Sequence, residues 1–149
     1  MAMMRDEGIA EIGYVYTFII SSILLTAITL MSTGMVNDSA RASLRIMLSD
    51  VAEHVESEIG SVVAFAMRSP NSSVEKIVKL QPIAFTFGYR INVTDHLLYV
   101  NATYETIDIR RPIMNPTNIE ITGGVSSSAE DLVIRYERIN GTARITLGY

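Results

Sequence analysis

The sequence predicts an α+β protein: a long N-terminal hydrophobic and amphipathic helix followed by a small antiparallel β domain. Three observations carry this. The 26 residues between Glu11 and Asp38 contain no charge. Apolar residues then recur at three- and four-residue steps from Leu44 to Ala66, the spacing of one helix face. From Ile83 onward β-branched and aromatic residues dominate, and an Asn-Gly pair separates two alternating runs, the strongest local hairpin signal.

Residues 1–8, MAMMRDEG, form a polar, leader-like stretch ending in Gly8. The uncharged run IGYVYTFIISSILLTAITLMSTGMVN follows almost at once. As a helix it reaches roughly 39 Å, more than the roughly 30 Å hydrocarbon core of a bilayer. A secretory signal peptide has a shorter apolar core and an Ala-x-Ala cleavage site, so residues 12–36 read as a retained membrane helix. Tyr14 and Tyr16 suit its water interface. Arg5 before the span and Arg41 and Arg45 after it give no clear charge bias for orientation. Ser22, Thr26, Thr29 and Thr33 fall on one face, where small hydroxyl side chains let helices approach and hydrogen-bond across a contact. The alternative is that each hydroxyl bonds its own backbone one turn back.

Past Asp38 the helix changes character. Leu44, Met47, Leu48, Val51, Val55, Ile59, Val62 and Ala66 share a stripe, while Arg45, Asp50, Glu53, Glu56 and Glu58 take other faces, so 38–67 reads as amphipathic. No proline occurs before Pro70, and one helix over 9–68 is expected, with Gly34 and Gly60 as its candidate bends. The stretch Arg68 to Ser73, RSPNSS, ends it, and a linker or short turn follows. The β domain occupies 69–149. Its expected strands are Ile83 to Val93, Leu97 to Tyr104, Thr106 to Ile113, Asn118 to Thr122, Asp131 to Arg138 and Thr142 to Leu147, the last two joined at Asn140-Gly141. This makes an antiparallel sheet of four to six strands, packed on the amphipathic part of the helix.

Composition narrows the function. With 12 basic against 16 acidic side chains and a net charge of -4, the chain repels phosphate, and no nucleic-acid partner is expected. Cysteine is absent, which removes disulfides and thiolate metal sites. His54 and His96 lack neighbouring ligands, so no metal or cofactor is expected. Glu53, Glu56 and Glu58 read as the wet side of a helix. Ser126, Ser127 and Ser128 follow Gly123-Gly124 in an expected loop without a GxSxG or Ser-x-x-Lys setting. Arg110 and Arg111 before Pro112 read as a solvated strand end. No catalytic residue is expected, nor an enzyme.

Five of the seven asparagines, Asn37, Asn71, Asn92, Asn101 and Asn140, stand in Asn-x-Ser/Thr sequons. Chance would place about one there. N-glycosylation explains the excess, although Asn, Ser and Thr also gather in turns for backbone reasons. All five follow the apolar span, so modification would put everything after about Val36 outside the cell.

The polar leader ending in Gly8, the apolar helix beginning at Ile9, its amphipathic continuation and the β domain together resemble archaeal type IV pilin-like proteins. The resemblance covers the whole chain in layout and is most specific over Asp6 to Gly34, DEGIAEIGYVYTFIISSILLTAITLMSTG. It implies cleavage between Gly8 and Ile9, and a helix that anchors the subunit in the membrane before assembly and forms the filament core afterwards. Glu11 would then stand third, where bacterial-type pilins carry a glutamate fifth; it is the candidate for pairing with the new N-terminus. The expected function is a structural subunit, major or minor, of a pilus-like or archaellum-like filament. Its partners would be copies of itself or related subunits, met through the helix carrying Ser22, Thr26, Thr29 and Thr33. The alternative is a single-span surface protein whose β domain binds a partner or braces the envelope without polymerising.

Overall fold

The computed structural model describes residues 3–80, 88–94, 96–115 and 119–149, with side chains in the N-terminal helix from Tyr14 onward. One helix, α1 (Met3–Arg68), precedes seven strands: β1 (Val74–Lys79), β2 (Tyr89–Thr94), β3 (Leu97–Ala102), β4 (Asp108–Pro112), β5 (Glu120–Ser126), β6 (Asp131–Ile139) and β7 (Thr142–Gly148). The protein is therefore α+β, with a long apolar helix and a mostly antiparallel sheet. α1 starts ahead of the expected Ile9 and continues through Gly34 and Gly60. The chain divides into two compact units, Met1–Ala42 and Ser43–Tyr149.

In the second unit the stripe on α1 meets one face of the sheet. Leu48, Ala52, Val55 and Ile59 are fully buried, flanked by Leu44, Val62, Val63 and Ala66. They share one core with Tyr89, Ile91, Leu98, Val100, Leu132, Ile134, Tyr136 and Ile145 from the strands. Each buried Leu, Ile or Val contributes about 1.5–3 kcal/mol by leaving water. α1 stops where Pro70 forbids helical geometry at Ser69, and the buried Tyr136 hydroxyl donates to the Pro70 carbonyl at 2.9 Å, fixing the turn.

The strand order is β1-β6-β7-β5-β2-β3-β4, antiparallel throughout except for the parallel pair β5–β7. This exceeds the expected four to six strands and adds a parallel pairing. β1 stands where the sequence predicts a linker or short turn. Its pattern is inverted for a half-buried strand: Lys76 turns toward the helix side with Val78, while Ile77 is 62% exposed on the other face. The expected start of β2, from Ile83, lies outside the described residues, as does Asn118 ahead of β5. The β6–β7 hairpin turns at Asn140 and Gly141, both at positive φ, 50° and 87°, as the Asn-Gly signal predicts.

Gly123 and Gly124 do not form the expected loop; they sit inside β5, between β7 and β2. A Cβ on Gly123 would overlap the Leu147 backbone, and its φ of 116° is itself closed to other residues. A Cβ on Gly124 would overlap the Asn92 side chain and the Ile91 carbonyl. Glycine in a strand interior marks this kind of close approach.

Tyr89 is fully buried, and desolvation pushes its phenol up to about 12. The folded state then keeps its proton while the unfolded chain loses it near pH 10. Stability carried by this group is full below about pH 10 and falls as pH rises toward 12. Tyr89→Phe should flatten the alkaline decline by up to about 1.4 kcal/mol per pH unit, read from urea unfolding between pH 10 and 12. Gly123→Ala should cost about 3 kcal/mol through overlap and strain. Gly60→Ala, where a Cβ meets nothing within 4 Å, should instead stabilise by up to about 1 kcal/mol. Urea midpoints in detergent compare the two.

Candidate functional site

The first unit presents an apolar helix surface that none of its described side chains covers. Tyr14, Phe18, Ile23, Leu24, Leu25, Leu30, Met31 and Met35 are exposed between 61% at Leu24 and 78% at Tyr14. Together with Val15 at 57% and Ile19 at 47% exposure, these positions at 100° per residue go right round the helix rather than along one stripe. Leaving each in water forgoes about 1.5–3 kcal/mol, so the first eight together forgo about 12–24 kcal/mol, which matches or exceeds the roughly 5–15 kcal/mol by which a whole domain is stable. A helix apolar on all sides belongs in a membrane or among other helices. Within α1 the stretch is long and apolar enough to cross a membrane, and none of it is buried.

The hydroxyl stripe lies in this segment. Thr26 Oγ1 donates to the Ser22 carbonyl at 2.8 Å, and Thr29 Oγ1 to that of Leu25 at 2.8 Å. Thr33 Oγ1 donates to Thr29 at 2.5 Å, with a longer contact to Leu30 at 3.3 Å. The three threonine donors are thus satisfied one turn back, which hides their polarity from an apolar surrounding. Each oxygen keeps acceptor capacity. Gly8, Ile9 and Glu11 fall near the start of α1, and their side chains lie outside those described.

The sequons occupy different settings. Asn37 is in α1, Asn71 in the turn after it, Asn92 in β2, Asn101 in β3 and Asn140 in the β6–β7 turn; all are exposed except Asn92, which is half-buried. His54 is exposed on α1, and His96 lies 3.3 Å from Asn115 Nδ2. Among the described residues, no three His, Cys, Asp or Glu side chains gather as a metal site would require. Ser127 Oγ accepts the Tyr89 amide at 3.0 Å. Ser126 and Ser128 line a shallow groove of about 570 Å³ with Arg90, Asn92 and Tyr149. Among the described residues, no His, Asp or Glu lines it.

Two charge readings change. Arg111 is not a solvated strand end: it turns inward and reaches Glu56 at 3.3 Å, Ser49 at 3.3 Å and Glu53 at 3.4 Å on α1. Arg110 points outward, bonded to Asp108 at 2.6 Å and 5.7 Å from the Tyr99 ring centre. The hydrogen bond to Asp108 raises its pKa further. Glu58 pairs with Lys76, whose Nζ also donates to Ser61 Oγ at 2.9 Å. Glu56 and Glu58 therefore tie the helix to the two edge strands, β4 and β1, rather than facing water alone. No local signal marks Lys76 or Arg111, because their partners follow from strand position.

A family model, described as a family of unknown function (DUF7266), matches residues 5–148. The chain belongs to this family. The DUF7266 match takes in both the apolar segment and the sheet, so the two features go together in the family's definition. No curated protein and no solved structure matches the chain.

Replacing Arg111 in this DUF7266 chain with Met should cost about 1 kcal/mol, the usual scale for a half-exposed ion pair. The loss should shrink in 1 M salt, which screens exposed charges within about 3 Å. Urea unfolding at low and high salt reads both effects.

Proposed function

We propose that this protein is a structural subunit of a type IV pilus-like or archaellum-like surface filament, and that residues 12–36 are the element through which subunits meet. The observation that carries this reading is the all-round apolar surface of α1 from Tyr14 to Val36, on a chain whose second unit already buries a core of its own. The segment sits in the membrane first, as an anchor, and packs among copies of itself or related subunits in the filament. The leader is cut between Gly8 and Ile9, and Glu11 pairs with the freed N-terminus. The sheet unit faces outside the cell.

The second reading is a single-span anchored surface protein that does not polymerise. The internal hydrogen bonds of Thr26, Thr29 and Thr33 favour it, since a helix with its hydroxyl donors already satisfied needs no partner helix in lipid.

Shearing native cells distinguishes the two. The filament reading expects thin fibres containing this chain, with an intact mass lacking the first eight residues. Detergent-soluble monomer that retains Met1 would sink it and leave the anchor. Thr26→Leu combined with Thr29→Leu should reduce fibre yield severalfold while membrane insertion is unchanged, because leucine blocks close helix approach. Unaltered yield would remove that face from the contact.

A further inference from the structure

We infer that Asn71 and Asn140 form a paired N-glycosylation site at one end of the sheet, and that Asn92 is a packing residue despite its sequon. The inference rests on the proposed placement of the sheet unit outside the cell.

The two asparagines lie 69 positions apart in sequence but in neighbouring turns. Arg138 joins them: its Nε donates to the Gly141 carbonyl at 3.1 Å and its Nη1 to Asn71 Oδ1 at 3.4 Å. Both side chains are exposed, as are Ser73 and Thr142, the hydroxyl residues that complete the sequons. Neither asparagine belongs to a helix or a strand: Asn71 is in the turn between α1 and β1, and Asn140 is at the hairpin tip with φ 50°. A transferase can therefore reach each amide without unpicking a ladder.

The chemistry agrees with the contact. In N-glycosylation the Asn Nδ2 bonds to C1 of a sugar carried on a lipid phosphate. The C1–O bond to that phosphate breaks, the lipid phosphate leaves, and one Nδ2 proton passes to solvent. The Oδ1 carbonyl is retained, so Arg138 can hold Asn71 before and after transfer.

Asn92 differs in its own setting, although Thr94 of its sequon is exposed. It sits in the middle of β2, opposite Tyr99 on one side and Gly124 on the other. It is half-buried, and its amide oxygen occupies the space that a Cβ on Gly124 would need. For a transferase to take up this Asn-x-Thr segment, β2 must first leave its pairings with β3 and β5. Asn37 and Asn101 are exposed, but their backbones are held in α1 and in a strand paired on both sides.

Peptide mass spectrometry on the full chain purified from its native cells tests this directly. Sugar mass is expected on the peptides containing Asn71 and Asn140 and not on that containing Asn92. Ser73→Ala and Thr142→Ala, which abolish the sequons without touching either asparagine, should each raise gel mobility by one glycan step, and Thr94→Ala should leave it unchanged. Sugar on Asn92, or bare Asn71 and Asn140, overturns the inference. Protease added to intact cells separates the causes of a bare result: digestion of the sheet unit rejects the paired site alone, and protection rejects the outside placement as well. Bare asparagines on sheared fibres reject the site while the filament reading stands; glycosylated monomer without fibres does the reverse.

Discussion

Apolar helix surface that must leave water is the constraint on which the rest depends. α1 meets it in two ways. From Leu44 to Ala66 the apolar positions are confined to one stripe, and a single sheet face suffices to bury them. From Tyr14 to Val36 they surround the helix, and no single face could cover them. The same secondary structure thus carries two sequence designs, one solved within the second unit and one that calls for lipid or other helices. The functional reading follows from that contrast and needs no active site.

The sheet is built to match its one-sided task. Its inner face is apolar except at the margins, where Lys76 on β1 and Arg111 on β4 reach acids on α1. Its outer face is wet and carries cross-strand pairs such as Arg135 with Glu75 at 2.7 Å and Arg144 with Glu120 at 2.8 Å. Each exposed pair is worth at most about 1 kcal/mol, so the ties define where the helix lies more than how firmly it is held. The edge strands also present Lys76, Lys79, Arg110, Arg111 and Pro112, residue types that discourage edge-to-edge pairing.

What could be read in advance was local. Periodicity gave the helix, Pro70 its end, and Asn140-Gly141 the hairpin, because each depends on a few adjacent residues. β1 escaped because a lysine faces inward and an isoleucine outward, so alternation pointed the wrong way. Gly123-Gly124 suggests a loop because glycine permits turns; its actual use, close backbone approach between β7 and β2, depends on neighbours distant in sequence. The ion ties of Glu56 and Glu58 were invisible for the same reason. Among the sequons, sequence reported five equivalent patterns, and only the backbone around them separated turn from ladder.

The position of β7 bears on how the chain is made. It is the last strand in chain order, yet it lies between β5 and β6, and it alone connects the pair β1-β6 to the group β5-β2-β3-β4. Domains often fold while still emerging from the ribosome or a translocation pore, and this sheet closes only once β7 has emerged. Until Thr142–Gly148 arrives, the two halves stay separate and the stripe from Leu44 to Ala66 has only part of its cover. A chain cut before Thr142 therefore loses the join between both halves, and the sheet is completed in one step when β7 docks.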